Sequence, residues 1–565
     1  MVTNVLEKKL IQVLEKLGYE NKEIKVIKSN RPDLCDYQYD GCFKLASIIH
    51  RSPIEIGEKI VEELQQLDDF SSYFKEISFV KPGFINMIVS DDFIKSQLQF
   101  MEQTDKFGIQ KPDNISTYVL DYGGPNIAKP LHVGHMRTAI VGESIKRIIQ
   151  YMGHKTISDV HLGDYGLQIG QVIYGIQKDN KKIEDIDLAY LEETYPKISA
   201  LCKSDEDVKK QCAKITKQLQ DGDKEYQQIW KKVCELSGED IKRLYRYLDV
   251  SFDLWYGESD AYPYISNVEK LITDKKLLQV SEGAKVVSVQ MDTDKKELPP
   301  LIFQKSNGAY LYGTTDLATL YQREKDFNPD YVLYIVDNRQ NLHFEQVFRV
   351  ASKANITDAK LEFLGYGTVN GIDGKPFKTR EGDAPKLDSL FNQVKDIFKL
   401  KKESNQNMSE EDQDKIVNAI LKFADLQNNR DKDYIFDISK FSEVVGKTGP
   451  YILYTYLRIK KILNDCEYNK EFNSQIYNSH DRNLRMKLME LSMSLNSAFE
   501  YRMPSYIAEY IYELCVLMNA FYQNNHILNL DDQLKKNTWL SLLELSNRVL
   551  KEMLKLLMID VPTSM

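Results

Sequence analysis

The chain lacks most of the marks of a secreted, zinc-holding or membrane protein. Its cysteines (Cys35, Cys42, Cys202, Cys212, Cys234, Cys466 and Cys515) are odd in number and contain no C-x-x-C pair. That argues for reduced thiols in a cytoplasmic protein and against a metal site. No apolar run approaches the ~20 residues of a membrane span. The first ten residues are amphipathic and include Glu7, unlike a secretory signal. Excess positive charge is missing too. At a net charge of −9, an RNA partner requires basic residues gathered locally against the global sign. The run 395–402 (K-D-I-F-K-L-K-K) is one such gathering, and a solvated helix face is its other reading. The 565 residues, 42% hydrophobic and 28% charged, suit a globular protein of three or four domains.

Patterning divides the chain into three. Residues 1–112 read as a small α/β unit, with helices over 5–17 and 53–67 and paired strands within 77–89 about a Pro-Gly turn. Residues 113–405 alternate strand and helix, with strands expected at 118–122, 156–161, 286–290, 310–312, 331–336 and 361–369. Such alternation predicts a doubly wound parallel sheet of the Rossmann-like α/β class. A charged stretch without strand signals, about 178–245, reads as a helical insertion. Residues 406–565 predict an all-α bundle, with helices over 416–423, 449–466, 482–502, 506–523 and 537–557.

The most informative segment is 118–152, where an apolar strand, a Gly-Gly-Pro turn and a helix with apolar residues from Val133 to Met152 follow one another. A helix start offers unpaired N–H groups and a positive dipole end to an anion. Lys129, His132 and His135 stand there as three potential cations, which suggests a triphosphate. Gly134 between the histidines leaves room for a flat base. Downstream, G-K-P-F-K-T-R-E-G at 374–382 forms a Gly- and Lys-rich loop after the last strand. A loop of this kind can close over a triphosphate and stabilise charge as pyrophosphate leaves. Two carboxylates stand beside aromatics: Glu258 in F-D-L-W-Y-G-E-S, and Asp316 one helical turn after Tyr312 in Y-L-Y-G-T-T-D-L-A. A lone Glu in a turn is more commonly a helix cap or a surface carboxylate.

The string P-N-I-A-K-P-L-H-V-G-H-M-R, from Pro125 to Arg137, resembles the H-I-G-H signature of class I aminoacyl-tRNA synthetases in the form found in arginyl-tRNA synthetases. The 374–382 loop resembles their K-M-S-K-S motif, with Lys375 and Lys378 at the lysine positions and Pro376 and Phe377 replacing the usual pair. The resemblance implies ATP as cosubstrate, bound with Mg2+, and L-arginine and its cognate tRNA as partners. It implies that Lys129 assists the triphosphate with His132, Gly134, His135 and Lys378. Asn126 and His132 would contact the backbone atoms of arginine, and Glu258, Tyr312, Asp316 and Gln340 would form its pocket. T-G-P-Y-I-L-Y, from Thr448 to Tyr454, resembles the opening of the family's anticodon-binding domain, with Leu453 in place of the usual glutamine. Tyr451, Tyr454, Tyr522 and Met565 then face the anticodon, and aromatic faces beside Lys447 and Arg458 suit stacked bases. Bundle core is the alternative for each tyrosine. In the N-terminal unit, Phe84 and Asn86 are the contacts implied for the tRNA elbow. The helical insertion is too small for a β-rich editing domain. A charge-reading pocket rejects analogues without one. The expected protein is a cytoplasmic monomer. Its rivals are a class I synthetase for glutamate or cysteine and a non-catalytic tRNA-binding paralogue.

Overall fold

The computed structural model describes residues 2–19, 24–377, 386–401 and 408–565. Its central sheet has four parallel strands in the order Lys360–Phe363, Tyr331–Ile335, Thr117–Tyr122, Lys155–Asp159. Helices on both faces require strands that are apolar on both sides, and Val119, Leu120, Leu333 and Ile335 are fully buried. From Thr117–Tyr122 the chain crosses to Lys155–Asp159 on one side and later returns at Tyr331–Ile335 on the other. Such a reversal opens a crevice beyond the carboxyl ends of the strands, where ligands of these folds bind. Parallel bridges from Asp159 to Leu254 and from Leu162 to Gly257 extend the sheet and carry Glu258 to that edge.

The expected α/β class holds, but two of the expected strands lie elsewhere. Residues 286–290 begin in strand Ala284–Val287, which pairs antiparallel with Leu278–Ser281 and Leu301–Gln304 in a separate sheet. The reason is local. Glu282 (φ 49°) and Gly283 (φ 78°) form a left-handed two-residue turn, which closes a hairpin instead of a crossover. Tyr310 makes a single bridge to Gln304, and Tyr312 opens helix Tyr312–Phe327.

The N-terminal unit packs helices Val2–Lys16 and Pro53–Gln65 on an antiparallel sheet ordered Val26–Lys28, Tyr37–Tyr39, Phe84–Val89, Phe74–Val80. Helices Leu188–Ser204, Glu206–Gln220 and Lys224–Tyr247 follow residue 187 and brace the crevice. Trp230 Nε1–H donates to Asp164 O at 2.9 Å, and Gln220 Nε2–H to Tyr165 O at 3.0 Å. The bundle comprises Glu410–Leu426, Gly449–Asn464, Ser479–Met489, Leu491–Glu500, Ser505–Asn524 and Gln533–Leu556. The single helix expected over 482–502 is two, meeting at Glu490. A short strand, Tyr434–Ile435, pairs with Val369–Asn370, although none was expected beyond residue 404.

Helix Val133–Tyr151 is the hub, buried on nearly every side, charged residues included. Glu143 pairs with Lys146 at 2.6 Å and Arg147 at 2.8 Å. Ser144 Oγ–H donates to Leu556 O at 2.8 Å, tying the hub to the end of the bundle. Arg137, 1% exposed, donates to the carbonyls of Gly367 (2.5 Å), Lys432 (3.1 Å) and Arg430 (3.2 Å). Asp425 lies 3.5 Å away, and the guanidinium sits over the ring of Tyr434. One buried cation thereby fastens the hub to the bundle entry and to the strand leading into the 371–377 turn. Among the described residues no helix is long and apolar enough to cross a membrane.

Candidate active site

The hub helix begins in the crevice, and its first turn is capped by its own histidines. His132, in extended conformation, is the N-cap, and its Nδ1 accepts from Gly134 N–H at 3.1 Å. His135 Nδ1 accepts from His132 N–H at 3.1 Å, and the two rings lie 3.9 Å apart. The rings do the work that serine or aspartate does at most helix starts. Gly134 gives the His132 ring room, since a Cβ there would lie 3.0 Å from it.

This geometry corrects the expectation of three cations. Burial, then the charge of Lys129, pushes His132 down to about 4. Burial, with His132 and Lys129 beyond it, holds His135 well below the ordinary histidine value. Both rings are neutral near pH 7. With Nδ1 accepting, each carries its proton on Nε2. The helix start therefore offers one cation, Lys129, and two neutral N–H donors. Lys129 borders a small cavity shared with Leu188, Glu192 and Asp240 of the helical insertion.

The segment that follows the second motif is joined to the first motif by backbone. Lys386 pairs antiparallel with His132, and Leu387 N–H donates to Leu131 O at 3.1 Å. Lys375 is exposed in a turn that Gly371 N–H closes on its carbonyl at 2.7 Å. Lys378, with the rest of 378–385, lies outside the described residues.

Glu258, Tyr312 and Asp316 lie near one another at the crevice. Glu258 is the first residue of helix Glu258–Ala261, anchored by its N–H to Leu162 O at 3.0 Å. It is largely buried. Burial, with the negative charges of Asp164 and Asp316, pushes its carboxyl up to about 7 against the opposing pull of His161. Tyr312 opens its helix half-exposed and accepts from Gln168 Nε2–H at 3.4 Å. One turn on, Asp316 Oδ2 meets His343 Nε2 at 2.5 Å. Asn126, half-buried, bridges to Gly163, where a Cβ would lie 2.2 Å from its Oδ1. Gln340 is exposed at the start of helix Asn341–Ala354, three residues before His343.

Beneath this pocket lies a cluster that sequence reasoning did not single out. Arg323 bridges Asp121 and Asp159, each at 2.7 Å, and His161 Nδ1 stands 3.3 Å from Asp159. Burial opposes charge on His161, but the hydrogen bond to Asp159 and the charges of Asp121 and Asp159 outweigh it and raise the ring to about 9. Two cations thus face two anions at the ends of adjacent strands. Asp121, Asp159 and His161 are close enough together to hold a metal ion, but the Arg323 guanidinium occupies both carboxylates. Asp121, Asp159 and His161 end or follow strands, the one signal that placed them at the crevice, whereas Arg323 reaches them from within helix Tyr312–Phe327.

The residues expected to meet RNA lie on the bundle and the N-terminal unit. Tyr454 is half-exposed, whereas Tyr451 is less so and accepts from Asn519 Nδ2–H at 3.2 Å. Arg458 sits 5.0 Å over the Tyr522 ring, and Met565 packs partly against the core. Phe84 makes an edge contact with Phe43. Asn86 is buried, its side-chain oxygen accepting from Gln38 at 2.8 Å.

Residues 97–438 match the family described as tRNA synthetases class I (R), catalytic domain. Residues 452–565 match the DALR anticodon binding domain, and 4–89 the Arginyl tRNA synthetase N terminal domain. The chain is 40% identical to arginine--tRNA ligase of Alkaliphilus oremlandii, with 98% of each chain covered. It is 39% identical to that of Agathobacter rectalis, over 100% of this chain and 99% of the relative. Arginyl-tRNA synthetase from Plasmodium falciparum superimposes with a TM-score of 0.83 at 27% identity, covering 100% of this chain and 99% of the other. The fold is also that of the Thermus thermophilus enzyme, at a TM-score of 0.82, 20% identity and full coverage of both chains.

Proposed function

The chain belongs to the arginyl-tRNA synthetases, and from that membership we propose how its own residues divide the work of joining arginine to tRNA. The reaction has two steps. An oxygen of the arginine carboxylate attacks the α-phosphorus of ATP, taken up as its magnesium complex, and pyrophosphate leaves. A hydroxyl of the terminal tRNA ribose, the 2′ one in class I chemistry, then attacks the carbonyl carbon, and AMP leaves with the bonding pair, its phosphate taking up the hydroxyl proton. Neither step needs a nucleophile from the protein, so positioning and charge stabilisation carry the rate.

His132 and His135 act as neutral Nε2–H donors to the phosphate chain beside the cation of Lys129, and Lys375 and Lys378 close over it from the second loop. A donor without charge of its own is well suited to the α-phosphate, where negative charge grows only in the transition state. Asn126 and His132 hold the amino-acid backbone atoms, while Glu258, Tyr312, Asp316 and Gln340 form the pocket for the side chain. Residues 406–565 read the anticodon through Tyr451, Tyr454, Tyr522 and Met565. Residues 1–112 meet the tRNA elbow near Phe84 and Asn86, and 113–405 carry the chemistry. The protein works as a monomer in the cytoplasm.

One observation carries the amino-acid assignment: two carboxylates, Glu258 and Asp316, stand near enough at the crevice to feel each other's charge. Two carboxyls held together in a partly buried space push one of them toward its neutral form, as Glu258 is pushed, and a cation bound between them is what lets both ionise. Attachment of each of the twenty amino acids to total tRNA tests this. Arginine should exceed every other by about 10⁴-fold, because a pocket of paired charges leaves its anions unmatched by an uncharged side chain. Preference for any other amino acid would overturn the assignment.

A further inference from the structure

Asp316 is not alone at the pocket. The His343 imidazole stands 2.5 Å from its Oδ2, reaching across from helix Asn341–Ala354 to helix Tyr312–Phe327. Their side chains keep 31% and 18% exposure, so the contact forms part of the pocket wall. The His343 ring is set edge-on against Phe344, which is buried and packs against Tyr334. The donor is thereby held by a neighbour that itself belongs to the core.

A carboxylate offers two oxygens and about four lone-pair positions. With Oδ2 accepting from Nε2–H, the plane of the Asp316 carboxylate is set and Oδ1 is left for a ligand. A guanidinium presents its N–H groups in one rigid plane, so its affinity depends on how the acceptor plane is turned. An aspartate without such a partner rotates about its last torsion and must be ordered at each binding event.

We propose that His343 is a positioning residue for arginine: its bond to Asp316 fixes the carboxylate plane that receives one edge of the substrate guanidinium. This rests on Asp316 being a guanidinium acceptor. His343 acts through Asp316 and need not touch the reacting atoms. Its contribution therefore belongs to arginine binding, and the phosphate half of the site is untouched by it.

The test uses the full chain with cognate tRNA, measuring arginine-dependent pyrophosphate exchange while arginine and ATP are varied separately. His343→Ala should raise the KM for arginine about tenfold, with kcat and the KM for ATP within about twofold. His343→Gln, whose amide N–H reaches about as far as Nε2, should restore most of the loss. Should the alanine variant not fold, His343→Asn replaces it, because its amide falls short of Asp316. Asp316→Asn alone should raise the arginine KM, and adding His343→Ala to it should change little more. Parallel rises in both KM values, a glutamine variant as poor as alanine, or additive effects in the double variant would overturn the role of His343. An arginine KM unmoved by Asp316→Asn would instead remove the premise that Asp316 receives the guanidinium, which the single variants of His343 cannot do.

Discussion

Arginine binding should expel a proton, and Glu258 should be its source. Burial, with Asp164 and Asp316 nearby, moves this carboxyl from the usual 4.5 to about 7, against the pull of His161. Holding it charged in the empty pocket therefore costs about 3 kcal/mol. Folding raises this group, so its contribution to stability is complete below the unfolded value and is lost as pH rises through about 7. A guanidinium reverses the balance by supplying the missing opposite charge. Binding at pH 6 should release close to one proton, at pH 7 about half, and at pH 8 almost none. His161, at about 9, and His132, at about 4, lie outside this window. Calorimetric titration of arginine in buffers of different ionisation enthalpy measures the proton count. Glu258→Gln should abolish the release and weaken binding. Native protein that releases nothing at pH 6, or a variant that releases as much as native, would refute the reasoning.

The helix-start histidines should respond as donors: His135→Ala is expected to slow adenylation by about 10²-fold or more, and His135→Gln to recover about tenfold of that, because the amide restores an uncharged N–H. Unchanged exchange in the alanine variant would remove the role. Lys422, fully buried with its Nζ–H donating to Met558 O at 2.6 Å, is pushed down to about 7 by burial. Folding depresses this group, so stability is lost as pH falls through about 7. The native protein should lose about 1 kcal/mol relative to Lys422→Met between pH 8 and pH 6, read from paired denaturation curves. Curves that shift together would contradict a titrating lysine there.

The parts of this protein legible in its sequence were those governed by local rules. Apolar spacing from Val133 to Met152 marked the hub helix, and the Pro125–Arg137 string marked its phosphate-facing start. Turn handedness was the signal passed over at Glu282–Gly283, which made a hairpin of a segment expected in the parallel sheet. Protonation was not legible at all. His132 and His135 stand as potential cations in a string of letters, and burial beside Lys129 keeps them neutral well below the pH at which an ordinary histidine charges. Arg323, bonded to residues 202 and 164 positions away, and His343, 27 away from Asp316, find their partners through the tertiary fold alone. Spacing within a motif cannot report such pairs.

The division of the crevice into an anionic end for the side chain and a donor end for the phosphates is best tested by the structure of the enzyme with a non-hydrolysable arginyl-adenylate analogue. The guanidinium should lie within hydrogen-bond distance of both Glu258 and Asp316, with the phosphate or its substitute against the Nε2 atoms of His132 and His135. A guanidinium bound elsewhere, or the analogue's phosphate turned away from the two rings, would contradict the account.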